Sequence, residues 1–208
     1  GYEFMLMDGK PTASLIHFWP GNAARVQAKE AVPTGQWSHL IMTYDGSSKA
    51  SGLKILLNGK PMELEIVKDH LTKEVDNWHT PNGGLVRQHL VLGERYRDRG
   101  FVKGQIDEFQ MFDREISDLE ARLLYKMESE SQILDTSNKT EELYSHFLAT
   151  SYLPAMSLRS ALQAARSDWN NVMDSLEDIS VMRELEEPKP AYVLTRGAYD
   201  AHGEAVTA

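Results

Sequence analysis

Apolar positions along this chain first come in short runs cut by turn residues, and later at helical spacing. The densest run is Gly35-Gln36-Trp37-Ser38-His39-Leu40-Ile41-Met42-Thr43-Tyr44-Asp45-Gly46. Gly52-Leu53-Lys54-Ile55-Leu56-Leu57-Asn58-Gly59-Lys60 repeats the design and closes on Asn-Gly, a dipeptide that takes the positive φ angles of a tight hairpin turn. Beyond it Met62, Leu64 and Ile66 alternate with Glu63 and Glu65, the period-two pattern of a half-buried strand. These runs predict consecutive antiparallel strands of one sheet packed on one face. Trp37 is expected to face the core, and His39 to be a satisfied polar residue within the sheet.

Upstream, residues 2–7 read as a strand turned by Asp8-Gly9-Lys10, and 13–19 as a second strand cut by Pro20-Gly21-Asn22. Residues 25–28 read as a third, before the turn Pro33-Thr34-Gly35. Short strands at regular spacing with Gly, Pro or Asn between them indicate an all-β sandwich rather than βαβ units. Downstream, 76–84 is a polar turn-rich loop, 85–92 a strand, and 95–100 a basic loop with Asp98 inside it. Residues 104–113 alternate as a further strand, with Phe109 and Met111 on one side. Ser117-Asp118-Leu119-Glu120 is a capping box, which predicts a helix from Ser117 to about Glu128.

From Ser129 on the strand pattern gives way to charged, helix-forming sequence. Thr140-Glu141-Glu142 opens a helix that stops before Pro154. From Ser157, apolar residues at Leu158, Leu162, Ala165, Trp169, Val172, Met173 and Leu176 mark a long amphipathic helix. Its stripe is expected to dock on the sandwich or on a neighbouring domain. Residues 184–190 form a linker, 191–195 are strand-like, and the tail is soft.

Composition narrows the function classes. A chain of 208 residues can bury a real core. Its formal net charge of -9 argues against nonspecific binding to nucleic acid or to anionic membranes. With no cysteine there is no disulfide, thiolate metal site or cysteine nucleophile. No apolar run is long enough to span a bilayer. The abrupt opening at Gly1-Tyr2-Glu3 is that of a segment of a longer chain.

The motifs Gly35 to Leu40, Thr43-Tyr44-Asp45-Gly46, Leu57-Asn58-Gly59-Lys60, Leu92-Gly93 and Gly104-Gln105-Ile106-Asp107-Glu108-Phe109, followed by a capped helix, resemble the concanavalin A-like laminin-G module. The resemblance covers about residues 2 to 126. It implies a mainly β chain, a jelly-roll sandwich of two antiparallel sheets with a C-terminal helical appendage. Modules of this kind carry further strands before the equivalent of Tyr2. A narrower resemblance rests on His17 to Asn22, Tyr44 to Ser48, Arg97 to Phe101 and Ala191 to Asp200. These resemble large planctomycete-type cytochrome-associated proteins, in which a laminin-G insert lies between domains of unknown function. That implies a module over 1–126, a helical connector over 127–187, the start of a following domain over 188–208, and an exported parent.

Two groups could carry chemistry. The resemblance implies calcium at Asp107 and Glu108, whose hard oxygen donors suit that ion, with no other cofactor indicated. Alternatively Asp107 bonds backbone at a sandwich corner and Glu108 faces solvent. His17, Trp19, Trp78, Arg95, Tyr96, Arg97 and Arg99 could line a sheet face that takes polysaccharide. Aromatic rings stack on sugar C–H faces and guanidinium groups donate to hydroxyls or carboxylates, so an anionic glycan suits the arginines better than a neutral one. The competing reading packs His17 and Trp19 at a strand end and pairs the arginines with Asp98 and Glu94. No catalytic constellation is present: Asp107 and Glu108 are adjacent, so on a strand they would point to opposite faces. The function expected is noncatalytic recognition within a larger exported protein, or an architectural spacer between neighbouring domains.

Overall fold

The computed structural model describes residues 1–75, 90–94, 100, 103–126, 140–177, 179, 181–182, 190–197 and 201–206. The chain divides into two compact units, Gly1–Ser175 and Leu176–Ala208.

In the first unit, β1 (Tyr2–Met7), β2 (Lys10–Phe18), β3 (Asn22–Ala28) and β7 (Leu64–His70) form a four-stranded antiparallel sheet in the order β1-β2-β3-β7. Opposite it lies a three-stranded sheet of β4 (Leu40–Tyr44), β5 (Leu53–Leu57) and β6 (Lys60–Pro61). The expected central pair is there: β4 and β5 run antiparallel with Met42 opposite Ile55. Asn58 and Gly59, at φ of 50° and 73°, make the turn into β6. Period-two alternation along β2, β3 and β5 gives the shared core, where Ala13, Leu15, Ala24 and Val26 meet Leu53 and Ile55.

The strand after the hairpin does not stay in that sheet. Met62 still donates its N–H to Ile55, whereas the Glu63 carbonyl already accepts from Lys29 at the end of β3. The chain therefore changes sheet between two residues, and β7 pairs with β3. Ile66 is consequently 59 % exposed rather than buried. It sits on an edge strand beyond the smaller sheet, and Val67 is an extra residue at a register shift. The opposite edge shows the same effect: Tyr2, Phe4 and Leu6 of β1 stay exposed.

The far face of the three-stranded sheet is closed by α1 (Asp118–Lys126), with Ile41 and Leu56 packed on Ile116, Ala121 and Leu124. Its capping box forms as the sequence implies. Ser117 Oγ accepts from the Glu120 N–H at 3.2 Å, and Glu120 Oε2 accepts from the Ser117 N–H at 2.7 Å. Arg114 also holds the Glu120 carboxylate. Burial pushes the Glu120 pKa upward, but the hydrogen bonds from Arg114 and Ser117 outweigh it and bring the value down to about 2.

Helix α2 spans Thr140–Thr150 and α3 Leu153–Asp174. Helix α3 begins four residues before the expected Ser157 because Pro154 is tolerated in a first turn, where its missing N–H is not needed. Its contacts with the sheet loops are polar. Arg166 Nη1 donates to the Asp45 carbonyl at 3.0 Å, and Asp174 Oδ1 accepts from the Glu74 N–H at 3.1 Å. Its apolar stripe stays open, with Leu158 at 72 % and Trp169 at 63 % exposure, so the stripe does not dock on the sandwich.

Two strand expectations fail. Trp37 lies ahead of β4 and is exposed, not core-facing. Residues 104–112 have no ladder partner among the described residues, and Ile106, Phe109 and Met111 are about half exposed, so alternation alone did not make a strand there. Leu90, Val91 and Leu92 are likewise irregular and exposed, while 85–89 lie outside the described residues. In the second unit, β8 (Ala191–Leu194) forms where a strand was expected and pairs with β9 (His202–Val206), where a soft tail was expected. Tyr192 stacks on His202 across it. Residues 183–189, which include most of the expected linker, lie outside the described residues.

Candidate ligand-binding site

The site is built from the outer face of the four-stranded sheet. Strand pairing sets Glu3 beside Ser14, Ser14 beside Arg25 and Thr12 beside Gln27. These side chains point away from the shared core, because residues two apart in a strand share a face. Thr12 and Ser14 are nevertheless fully buried and Arg25 is 7 % exposed. Arg25 Nε donates to Ser14 Oγ at 2.7 Å, Nη2 donates to Glu3 Oε2 at 3.2 Å, and Gln27 donates to Thr12 Oγ1 at 3.1 Å.

Trp19 covers Arg25 in this row. After the register shift between Ile16 and Phe18, the chain turns through Trp19-Pro20-Gly21. The indole then lies over Arg25, whose guanidinium carbon is 3.8 Å from the ring centroid. With one face covered in this way, Trp19 is still 40 % exposed. Phe18, next to it, is 68 % exposed. His17 is turned elsewhere: its Nδ1 lies 2.6 Å from the Glu74 carbonyl oxygen, which fastens the end of β2 to the 71–75 segment. Asn22 does the same from β3, donating to Thr72 Oγ1 at 2.7 Å and accepting from the Thr72 N–H at 3.0 Å.

His17 and Trp19 are thus neighbours in sequence with different tasks, one clamping a strand end and the other presenting a ring. Trp78, Arg95, Tyr96, Arg97 and Arg99 lie outside the described residues. The arginine found beside Trp19 is Arg25, which motif reading passed over. The available signal was a lone charge in the small-residue strand Asn22-Ala23-Ala24-Arg25-Val26-Gln27-Ala28, where Arg25 and Gln27 share a face opposite Val26.

Asp107 and Glu108 line a separate open groove of about 450 Å³ with Leu92, Ile106 and Phe109. Asp107 Oδ1 accepts from the Glu108 N–H at 2.8 Å, and Glu108 has φ of 51°. Among the described residues no group of three or more His, Cys, Asp or Glu is placed to hold a metal ion. Two carboxylates fall short of the about six to eight oxygens that calcium takes, so main-chain carbonyls and water would have to complete a shell there.

His39 departs from expectation. Its main chain is tied to Asn58, but its ring Nδ1 is buried without a hydrogen-bond partner among the described residues. Burial lowers its pKa below the usual value, with the Glu108 charge opposing. The ring packs by Tyr125 of α1 at 5.9 Å between centroids.

The sequence pattern of the Concanavalin A-like lectin/glucanases superfamily, in its laminin G form, matches residues 1–122. The chain belongs to this superfamily. As in the described fold, a concanavalin A-like chain is mostly antiparallel β, here with three helices among the described residues toward the C-terminus. A solved chain similar to this concanavalin A-like protein is an S-layer domain-containing protein (residues 221-444) from Clostridium thermocellum. The two are 18 % identical, the match covers 56 % of this chain and 52 % of that one, and the TM-score is 0.30. The chain thus spans about half the length of that structure. A comparison with curated proteins found no match. No helix among the described residues is long and apolar enough to cross a membrane.

Proposed function

We propose that this concanavalin A-like chain is a noncatalytic module that binds polysaccharide on the outer face of its four-stranded sheet. The observation that carries the reading is Trp19, fixed by a buried cation on one face and still 40 % exposed. An indole held this way offers a flat apolar surface to the C–H face of a sugar ring, while polar groups around it donate to hydroxyls. The ligand set proposed is His17, Trp19, Trp78, Arg95, Tyr96, Arg97 and Arg99, with calcium at Asp107 and Glu108 as an accessory. The fuller assignment is a jelly-roll sandwich over 1–126, a connector over 127–187 and the start of a following domain over 188–208. Its parent is proposed to be an exported multidomain protein resembling the planctomycete cytochrome-associated family.

Isothermal titration against a panel of neutral and acidic glycans tests this. Binding to at least one glycan that is lost in Trp19→Ala is the expected result. A flat response from the unaltered protein across the panel removes the proposal.

The architectural reading, a spacer packed between neighbouring domains, is favoured by a different observation. The stripe Leu158, Leu162, Trp169 and Val172 on α3 is exposed along its length, an unusual feature for a helix with no further partner.

A further inference from the structure

We infer that Arg25 is the positioning residue of the Trp19 surface, and that the ligand taken there is a neutral pyranose rather than an anionic one. The inference rests on the polysaccharide reading and specifies its chemistry. Three features carry it. Arg25 is buried, so its guanidinium cannot reach out to a ligand carboxylate or sulfate. Its charge is already met by Glu3 at 3.2 Å, and its Nε is committed to Ser14 at 2.7 Å. Its guanidinium carbon lies 3.8 Å from the indole centroid, a cation–π contact that holds the ring before any ligand arrives.

A ring ordered on folding does not have to be ordered again on binding, and binding is stronger for it. The ion pair beneath the ring carries little net charge, so the Arg25 guanidinium itself is no source of attraction to an acidic glycan. Recognition then comes from stacking and hydroxyl contacts, which neutral pyranoses supply.

The experiment uses the whole chain, with 5-fluorotryptophan incorporated so that each indole gives its own ¹⁹F signal. Cellohexaose and laminarihexaose serve as neutral probes and oligogalacturonate as the anionic one. The unaltered protein should bind a neutral probe with little salt dependence, shifting the Trp19 signal. Arg25→Met should broaden that signal and weaken binding roughly three- to tenfold, the scale of a lost cation–π contact. Should Arg25→Met fail to fold, Ser14→Ala removes the Nε anchor alone and should give the same changes in smaller measure. Glu3→Gln, which removes the carboxylate charge beside the cation, should raise affinity for oligogalacturonate.

Each other outcome overturns a stated part. Binding that is lost in Trp19→Ala but unchanged in Arg25→Met and Ser14→Ala keeps the site and removes the positioning role. Tighter, salt-sensitive binding of oligogalacturonate by the unaltered protein removes the neutral class. No binding of any probe removes the polysaccharide reading together with this one.

Discussion

On its inner face the four-stranded sheet presents Ala13, Leu15, Ala24 and Val26 to Leu53 and Ile55 of the opposing sheet. On its outer face the same two strands present Thr12, Ser14 and Arg25, which are equally inaccessible although that face packs on no other described sheet. The inner residues are buried by a second layer of secondary structure. The outer ones are bonded to their long neighbours, Ser14 to Arg25 and Thr12 to Gln27, and Arg25 lies under one indole folded back from the β2–β3 turn. A layer cannot open for a ligand without unfolding, whereas a single ring already half in solvent can meet one. The difference explains why two faces with similar burial have different uses.

The predictions separate the two faces in order of expected effect. On the inner face, Ile55→Ala removes a side chain that is 1 % exposed and should cost about 3 kcal/mol, read from urea unfolding. Loss below about 1 kcal/mol would mean the sheets are not closed on one another. On the outer face, Arg25→Ala removes the group that Glu3 and Ser14 share and should cost about 2 kcal/mol, less than a fully buried pair because the Glu3 side chain is 25 % exposed. A neutral outcome would show that the polar row is held by strand pairing alone.

The third prediction concerns α1, away from both faces. Glu120→Gln should cost about 1 kcal/mol at neutral pH through the weakened capping box and Arg114 pair. The Glu120 pKa is depressed in the fold, so its contribution is present above the ordinary value of 4.5 and lost as pH falls from there toward about 2. Thermal melts across that range should therefore fall less steeply in the variant. His39 acts at higher pH with the same sign. Its folded pKa is lowered, so the unfolded chain takes up the proton first and stability declines as pH drops below 6.5. His39→Gln should flatten that decline. The smallest effect on stability is expected for Trp19→Ala, below about 1 kcal/mol because the ring is 40 % exposed, yet this variant should lose glycan binding altogether.

Much of the fold was legible because local signals and tertiary needs agreed. Asn58-Gly59 needed positive φ, Ser117 and Glu120 needed each other, and β2, β3 and β5 alternated against a real opposing layer. Alternation misled where no described layer stood opposite: Ile66 on an edge, and Ile106 to Met111 with no ladder among the described residues. Periodicity reports which side a residue would face, not whether anything covers that side. The stripe on α3 taught the same lesson, since its spacing is helical and its apolar face is open. At the candidate site, Trp19 could be named from sequence as an aromatic at a strand end. Arg25 could not, because its pairing with Glu3 and Ser14 spans three strands whose register no local pattern reveals. His39 was misjudged for a related reason: its main chain is satisfied while its ring, pressed against α1, is not.

The most direct test of the central claim is two-dimensional NMR of the indole N–H signals during addition of cellohexaose. The account predicts that the Trp19 signal moves in a saturable way while that of Trp169, on the open helix stripe, stays fixed. A fixed Trp19 signal beside moving signals from other tryptophans would contradict it.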